Sequence, residues 1–106
     1  MAKYMVTASY TRDGLKGVIA KGGSARRDAV DKLVSDLGGR MESFHFGFGD
    51  HDAYVIVDLP DNIGAAAIAM AVGASGGAVV HTTVLLTPEE VDRAAQTTVN
   101  YLPPGG

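Results

Sequence analysis

Apolar and polar positions alternate from Lys3 to Tyr10, with Tyr4, Val6, Ala8 and Tyr10 on one side and Met5, Thr7 and Ser9 on the other. That is the two-residue period of a strand. From Arg12 to Gly23 the period changes. Leu15, Val18 and Ile19 fall at helical spacing, but Gly14, Gly17, Gly22 and Gly23 interrupt them, which predicts a short helix or turn. The main helix follows, with Ser24 as its expected N-cap and Ala29, Val30, Leu33, Val34 and Leu37 at three-four spacing. Gly38-Gly39 ends it, because glycine adopts a left-handed C-cap without a Cβ clash.

Arg40 to Gly49 alternates again, Met41, Ser43, His45 and Gly47 against Glu42, Phe44, Phe46 and Phe48, and Ala53 to Leu59 is a β-branched run. Gly49-Asp50 between them predicts a hairpin. Pro60-Asp61-Asn62 stops the strand and caps a second helix, Ile63 to Ser75, which Gly76-Gly77 terminates. A fourth strand runs from Ala78 to Leu86. Thr87-Pro88-Glu89-Glu90 then supplies a capping box and an early proline for a short helix to about Thr97.

The order β-α-β-β-α-β with a helical tail predicts an α+β, ferredoxin-like domain, with four antiparallel strands in the order 4-1-3-2 and both helices on one face. The other face holds either Phe44, Phe46 and Phe48 or a set including Val79 and Leu85, so neither register leaves it polar. A covering partner is therefore expected. No charged residue occurs between Asp61 and the end of the second helix, which makes that helix apolar all round. Together these features predict self-association, a homodimer at minimum. One domain is expected over residues 1–106, with 102–106 a frayed tail containing Pro103-Pro-Gly-Gly106.

Composition narrows the function. Of 106 residues, 46% are hydrophobic but only 7% aromatic, and Trp is absent, so the core must come from Ala, Val, Ile, Leu and Met. A formal charge of −3 offers no positive field for a phosphate backbone, and nucleic acid is not expected as a partner. The absence of Cys removes disulfides, thiolate nucleophiles and Cys-ligated metal sites. The amino terminus has no secretory-signal pattern, and the charge-free stretch Asn62 to His81 is broken by Gly64, Gly73, Gly76 and Gly77. A cytoplasmic protein with no membrane partner is expected.

Specific residues then point to a family. Tyr10-Thr11-x-x-Gly14, Leu37-Gly38-Gly39, Glu42-Ser43-Phe44, Gly49-x-His51-Asp52, Val57-Asp58-x-Pro60-Asp61 and Thr-Pro-Glu-Glu at 87–90 together resemble the GYD-domain family. The likeness runs from about Lys3 to Val91 and touches every element. The family is named for a Gly-x-Tyr-Asp turn; this chain keeps Gly49 and Asp52 and places His51 where the Tyr is usual. The resemblance implies the dimeric α+β barrel superfamily, in which two ferredoxin-like sheets pack face to face and leave a pocket between sheet and helices or within the barrel. Relatives in that superfamily include cofactor-independent monooxygenases, haem-degrading enzymes, muconolactone-isomerase-like proteins and ligand-sensing domains, and fold alone does not choose among them.

The three histidines are the side chains whose unperturbed pKa lies nearest neutrality. His45 shares its strand face with Met41, Ser43 and Gly47, and His81 with Val79, Thr83 and Leu85. If the first strand presents Thr7 and Ser9 on the same side, these residues form one face suited to a small polar ligand. The second and fourth strands are opposite edges, about 14 Å apart, so one metal ion cannot bind both histidines of a single chain. His51, between Asp50 and Asp52, has a metal-like composition, but consecutive residues point in different directions. Asp52 is expected instead to accept turn amide hydrogens, and no metal or other cofactor is expected.

Tyr10 ends the first strand, where its phenol can donate to a ligand, and Tyr54 can do likewise from the third strand. Arg26-Arg27 can engage a carboxylate or phosphate, although cations gain nothing from the dipole at the start of a helix and are usually solvated there. Gly22-Gly23-Ser24 lacks the Lys-Ser/Thr of a phosphate loop. Three functions fit. The first is a small-molecule-binding oligomer with a pocket sited by Tyr10, His45 and His81. The second is a cofactor-free isomerase or monooxygenase with His45 or His81 as general base and Tyr10 orienting the substrate. The third is a structural assembly protein resting on the uncharged helix.

Overall fold

A computed structural model describes residues 1–106. Its elements are β1 (Ala2–Tyr10), α1 (Arg12–Lys21), α2 (Gly23–Asp36), β2 (Arg40–Phe46), β3 (Ala53–Leu59), α3 (Asn62–Ser75), β4 (Ala78–Leu85) and α4 (Pro88–Gln96). The strands form one antiparallel sheet in the order β2-β3-β1-β4. This is the ferredoxin-like order expected, read from the other edge. Tyr4 from β1 and Val55, Val57 and Leu59 from β3 pack against Val34 of α2 and Ala65 and Ile68 of α3. The core is therefore a single layer between one sheet face and these helices.

Where the structure departs from the sequence pattern, backbone geometry gives the reason. Arg12–Lys21 is a full helix rather than a turn. Thr11 caps it: its Oγ1 accepts from the Gly14 amide at 3.2 Å and donates to the Gly76 carbonyl at 2.7 Å. Gly14 serves close approach, since a Cβ there would lie 1.9 Å from the Gly77 carbonyl oxygen. Gly22, with φ at 88°, separates α1 from α2 and is itself the α2 N-cap, so Ser24 is not the cap. At the far end, Gly38 (φ 79°) turns the chain while the Gly38 and Gly39 amides donate to Ser35 and Val34 carbonyls, each at 3.0 Å.

β2 ends at Phe46, earlier than the alternation suggests, because Phe48 takes a left-handed φ of 56° and residues 47–52 leave the ladder. Phe48 stacks on Phe46 with ring centroids 5.6 Å apart. A register shift between Met41 and Ser43 has a larger effect. The extra residue, Glu42, turns Met41 to the helix side, where it packs against the same core cluster as Phe44. Met41 therefore does not share the face of His45.

The chain leaves much apolar surface uncovered. A compact monomer of this mass exposes about 5,600 Å², whereas this chain exposes 7142 Å². Its radius of gyration is 16.8 Å, against about 13 Å for a compact domain of this length. α3 buries only Ala65 and Ile68, leaving Ile63 at 76% and Met70 at 74% exposure. α4 is held by a capping box, in which the Thr87 amide donates to Glu90 at 3.0 Å and holds that carboxyl below its usual pKa, but it buries no residue. No helix is long and apolar enough to cross a membrane.

Candidate functional site

The two sheet faces carry different chemistry. On the helix side a cavity lies between β1, β2, β3 and β4 and the inner faces of α2 and α3, lined by fifteen residues, all aliphatic or aromatic except Arg26. Val30, Leu33 and Val34 of α2, Ile68 and Val72 of α3, and Val6, Ala8, Phe44, Val55 and Val80 of the sheet supply most of the wall. Small side chains keep it open: Ala8, Ala53 and Ala78 form a buried cluster where larger residues would fill the space. About 50 Å³ is open to water-molecule centres. A water takes about 30 Å³ and an apolar cavity that encloses a benzene ring measures about 150 Å³, so this space holds roughly one or two waters and can receive only part of a ring.

Two polar groups reach this cavity. Tyr10 is on its wall and packs near Phe46, with ring centroids 6.5 Å apart. Arg26 is the one charged residue of the lining, and its Nε is buried with no hydrogen-bond partner. Both side chains also line an adjoining recess formed with Gly14, Ser75 and Gly77. Arg27, one residue on, is exposed and bonds Asp28 at 3.1 Å.

The opposite sheet face collects most of the residues expected to form a site. His45 is opposite Tyr54, Tyr54 opposite Thr7, and Thr7 opposite His81, a single row across all four strands. Ser43 and Thr83 belong to the neighbouring row with Ile56 and Met5, and Ser9 is opposite Val79. Thr7, Ser9, Ser43, Tyr54, Thr83, His45 and His81 therefore share one face. Tyr10 does not join them; its parity on β1 sends it to the helix side with Ala8 and Val6.

The β2–β3 loop adds a residue to the histidine row. The His51 ring is 5.9 Å from that of His81 and 5.8 Å from that of Tyr54, and its Nδ1 is buried without a partner. Asp52 beside it accepts from the Tyr10 backbone amide at 2.8 Å, while its own amide donates to the Ala8 carbonyl at 2.8 Å. It therefore clamps the loop to the end of β1, and the turn amides expected as donors are not its carboxylate's partners. No three His, Asp or Glu side chains converge as a metal site would need.

At the other end of this face Asp58 accepts from Lys3 at 3.1 Å and Arg40 at 3.2 Å, and Lys3 also pairs with Glu42. Partial burial raises the Asp58 pKa, but the hydrogen bonds and charges of Lys3 and Arg40 outweigh it and hold the carboxyl below its usual range. Glu42, then Asp58, hold the Lys3 ammonium above its usual value.

Sequence reasoning missed the part of Arg26 in the cavity lining. A signal was present: positions 26, 30, 33 and 34 fall on one helical stripe, so a guanidinium interrupts an otherwise apolar face.

Sheet order, helix placement and the cavity beneath the helices define a ferredoxin-like α+β domain with an apolar chamber. The sequence model of the GYD domain matches residues 4–95, nearly the whole chain, and the protein belongs to the GYD-domain family. No curated protein and no solved structure matches it.

Proposed function

We propose that the protein is a self-associating small-molecule-binding protein whose ligand occupies the chamber between sheet and helices. The observation that carries this is the chamber itself: a partly open pocket with an almost wholly apolar wall, and alanines where larger residues would close it. Interiors normally pack to the density of organic crystals, and a small space retained beneath two helices has the form of a binding pocket. Self-association is supported by the exposed apolar positions Val79, Ile63 and Met70 and by the surface in excess of a compact monomer.

In this reading a second copy covers the open sheet face and encloses the row of His45, Tyr54, Thr7 and His81. General-base roles for His45 and His81 belong to the same assembly, since both rings are exposed on the single chain and need a covered site to be desolvated.

Titration calorimetry with toluene as a neutral one-ring probe tests the chamber. Saturable binding is expected, and Val72→Phe, which fills the chamber wall from α3, is expected to abolish it while the chain stays folded. Absence of saturable binding by the wild type, or binding untouched by Val72→Phe, refutes the chamber reading. Sedimentation equilibrium at micromolar concentration tests self-association, and a particle of only 11.0 kDa refutes it.

A further inference from the structure

We infer that the chamber selects an anionic ligand, a monocarboxylate bearing one ring or a short branched chain, with Arg26 as the residue that determines this preference; the inference rests on the chamber reading above. Every other lining residue is apolar or aromatic, so Arg26 is the only side chain that can discriminate by charge. Its Nε is buried and unpartnered. None of the five ion pairs of the chain involves Arg26, so no carboxylate of the protein neutralises it.

The helix gives no reason for an arginine at this position. Arg26 is in the opening turn of α2, where the dipole disfavours a cation, and Arg27 already supplies a solvated charge beside it. What the position does supply is a planar fork of donors at the junction of the apolar chamber and the recess beside Gly14 and Gly77. A carboxylate matches that fork, and the apolar wall behind it offers contact to a short branched chain or to one edge of a ring. Tyr10 borders both compartments, so its phenol can add a second hydrogen bond to the same head group.

Three probes separate this inference from the reading beneath it: the isosteric pair benzoate and benzamide, and toluene as a ring with no polar head group, titrated into the full-length protein at fixed ionic strength. Benzoate is expected to bind tenfold to a hundredfold more tightly than benzamide, the range of a charge-assisted hydrogen bond. Arg26→Met removes the guanidinium but keeps an unbranched apolar stem, and it is expected to erase that preference while toluene binding persists. Arg26→Lys, which retains charge without the fork, is expected to recover only part of it.

Equal affinity of the wild type for all three probes overturns the anion preference and leaves the chamber intact. Toluene bound and benzoate rejected does the same. Failure of all three to bind overturns both the chamber and the inference built on it. Because the benzoate-to-benzamide ratio is read on the wild type, the outcome stands even if Arg26→Met does not fold.

Discussion

Met5→Lys is the sharpest probe of self-association. Met5 is on the central strand β1, on the open face, opposite Ile56 on one side and Thr83 on the other. Methionine and lysine are both unbranched and of similar length, so on a lone chain the ammonium reaches water and the change stays within about 0.5 kcal/mol. The nearby acid, Asp58, is already held by Lys3 and Arg40 and offers the new charge little. Under a second copy the same ammonium is desolvated without a partner, which costs about 3 kcal/mol or more. A two-fold interface repeats the change in each copy, so the penalty is roughly 6 kcal/mol and dissociation rises by about 10⁴. Sedimentation velocity across a concentration series reads this directly, with Met5→Leu as the control that should remain associated. An unchanged particle size for Met5→Lys would mean that the open face is not where the copies meet.

Other consequences follow from contacts within one chain. Gly14→Ala is expected to lower stability by about 2–3 kcal/mol in urea unfolding, since its Cβ would sit 1.9 Å from the Gly77 carbonyl oxygen and the three nearest atoms are all Gly77 backbone; a loss below 0.5 kcal/mol would contradict that contact. Asp58→Asn is expected to cost about 1 kcal/mol at pH 7. Because the folded-state pKa of Asp58 is lowered, its contribution is complete above the ordinary carboxylate pKa and disappears as pH falls through the folded value, so the gap between wild type and variant should close below about pH 4. A gap that persists at pH 2 would refute the pairing. Asp52→Ala is expected to speed amide hydrogen exchange at Tyr10 at least tenfold, as the amide loses its carboxylate acceptor.

The fold was legible because its signals are local. Alternation over Lys3–Tyr10, the β-branched run at Ala53–Leu59 and the glycine pairs after two helices each act within a few residues, and together they order the elements. The bulge at Glu42 was not legible, since it exists only relative to the register of β3, and it moved Met41 to the helix side. The candidate site was legible in part. Strand parity alone grouped Thr7 and Ser9, and the pairing then brought them beside His81 and Val79. The same parity already separated Tyr10 from both, so joining Tyr10 to the histidines conflicted with the pattern that defined the strand. His51 joins the row only because residues 47–52 fold back over the sheet, which spacing along the chain does not encode.

The clamp between Asp52 and residue 10 uses the main chain of that residue and leaves its side chain free. Anchoring of the loop and composition of the chamber wall are thus assigned to different atoms of the same amino acid. Any replacement except proline, which has no N–H, preserves the tether, so this wall position can change chemical character across variants while the hairpin stays fastened. The wall at this place can therefore be altered by a single substitution, with no compensating change in the architecture around it.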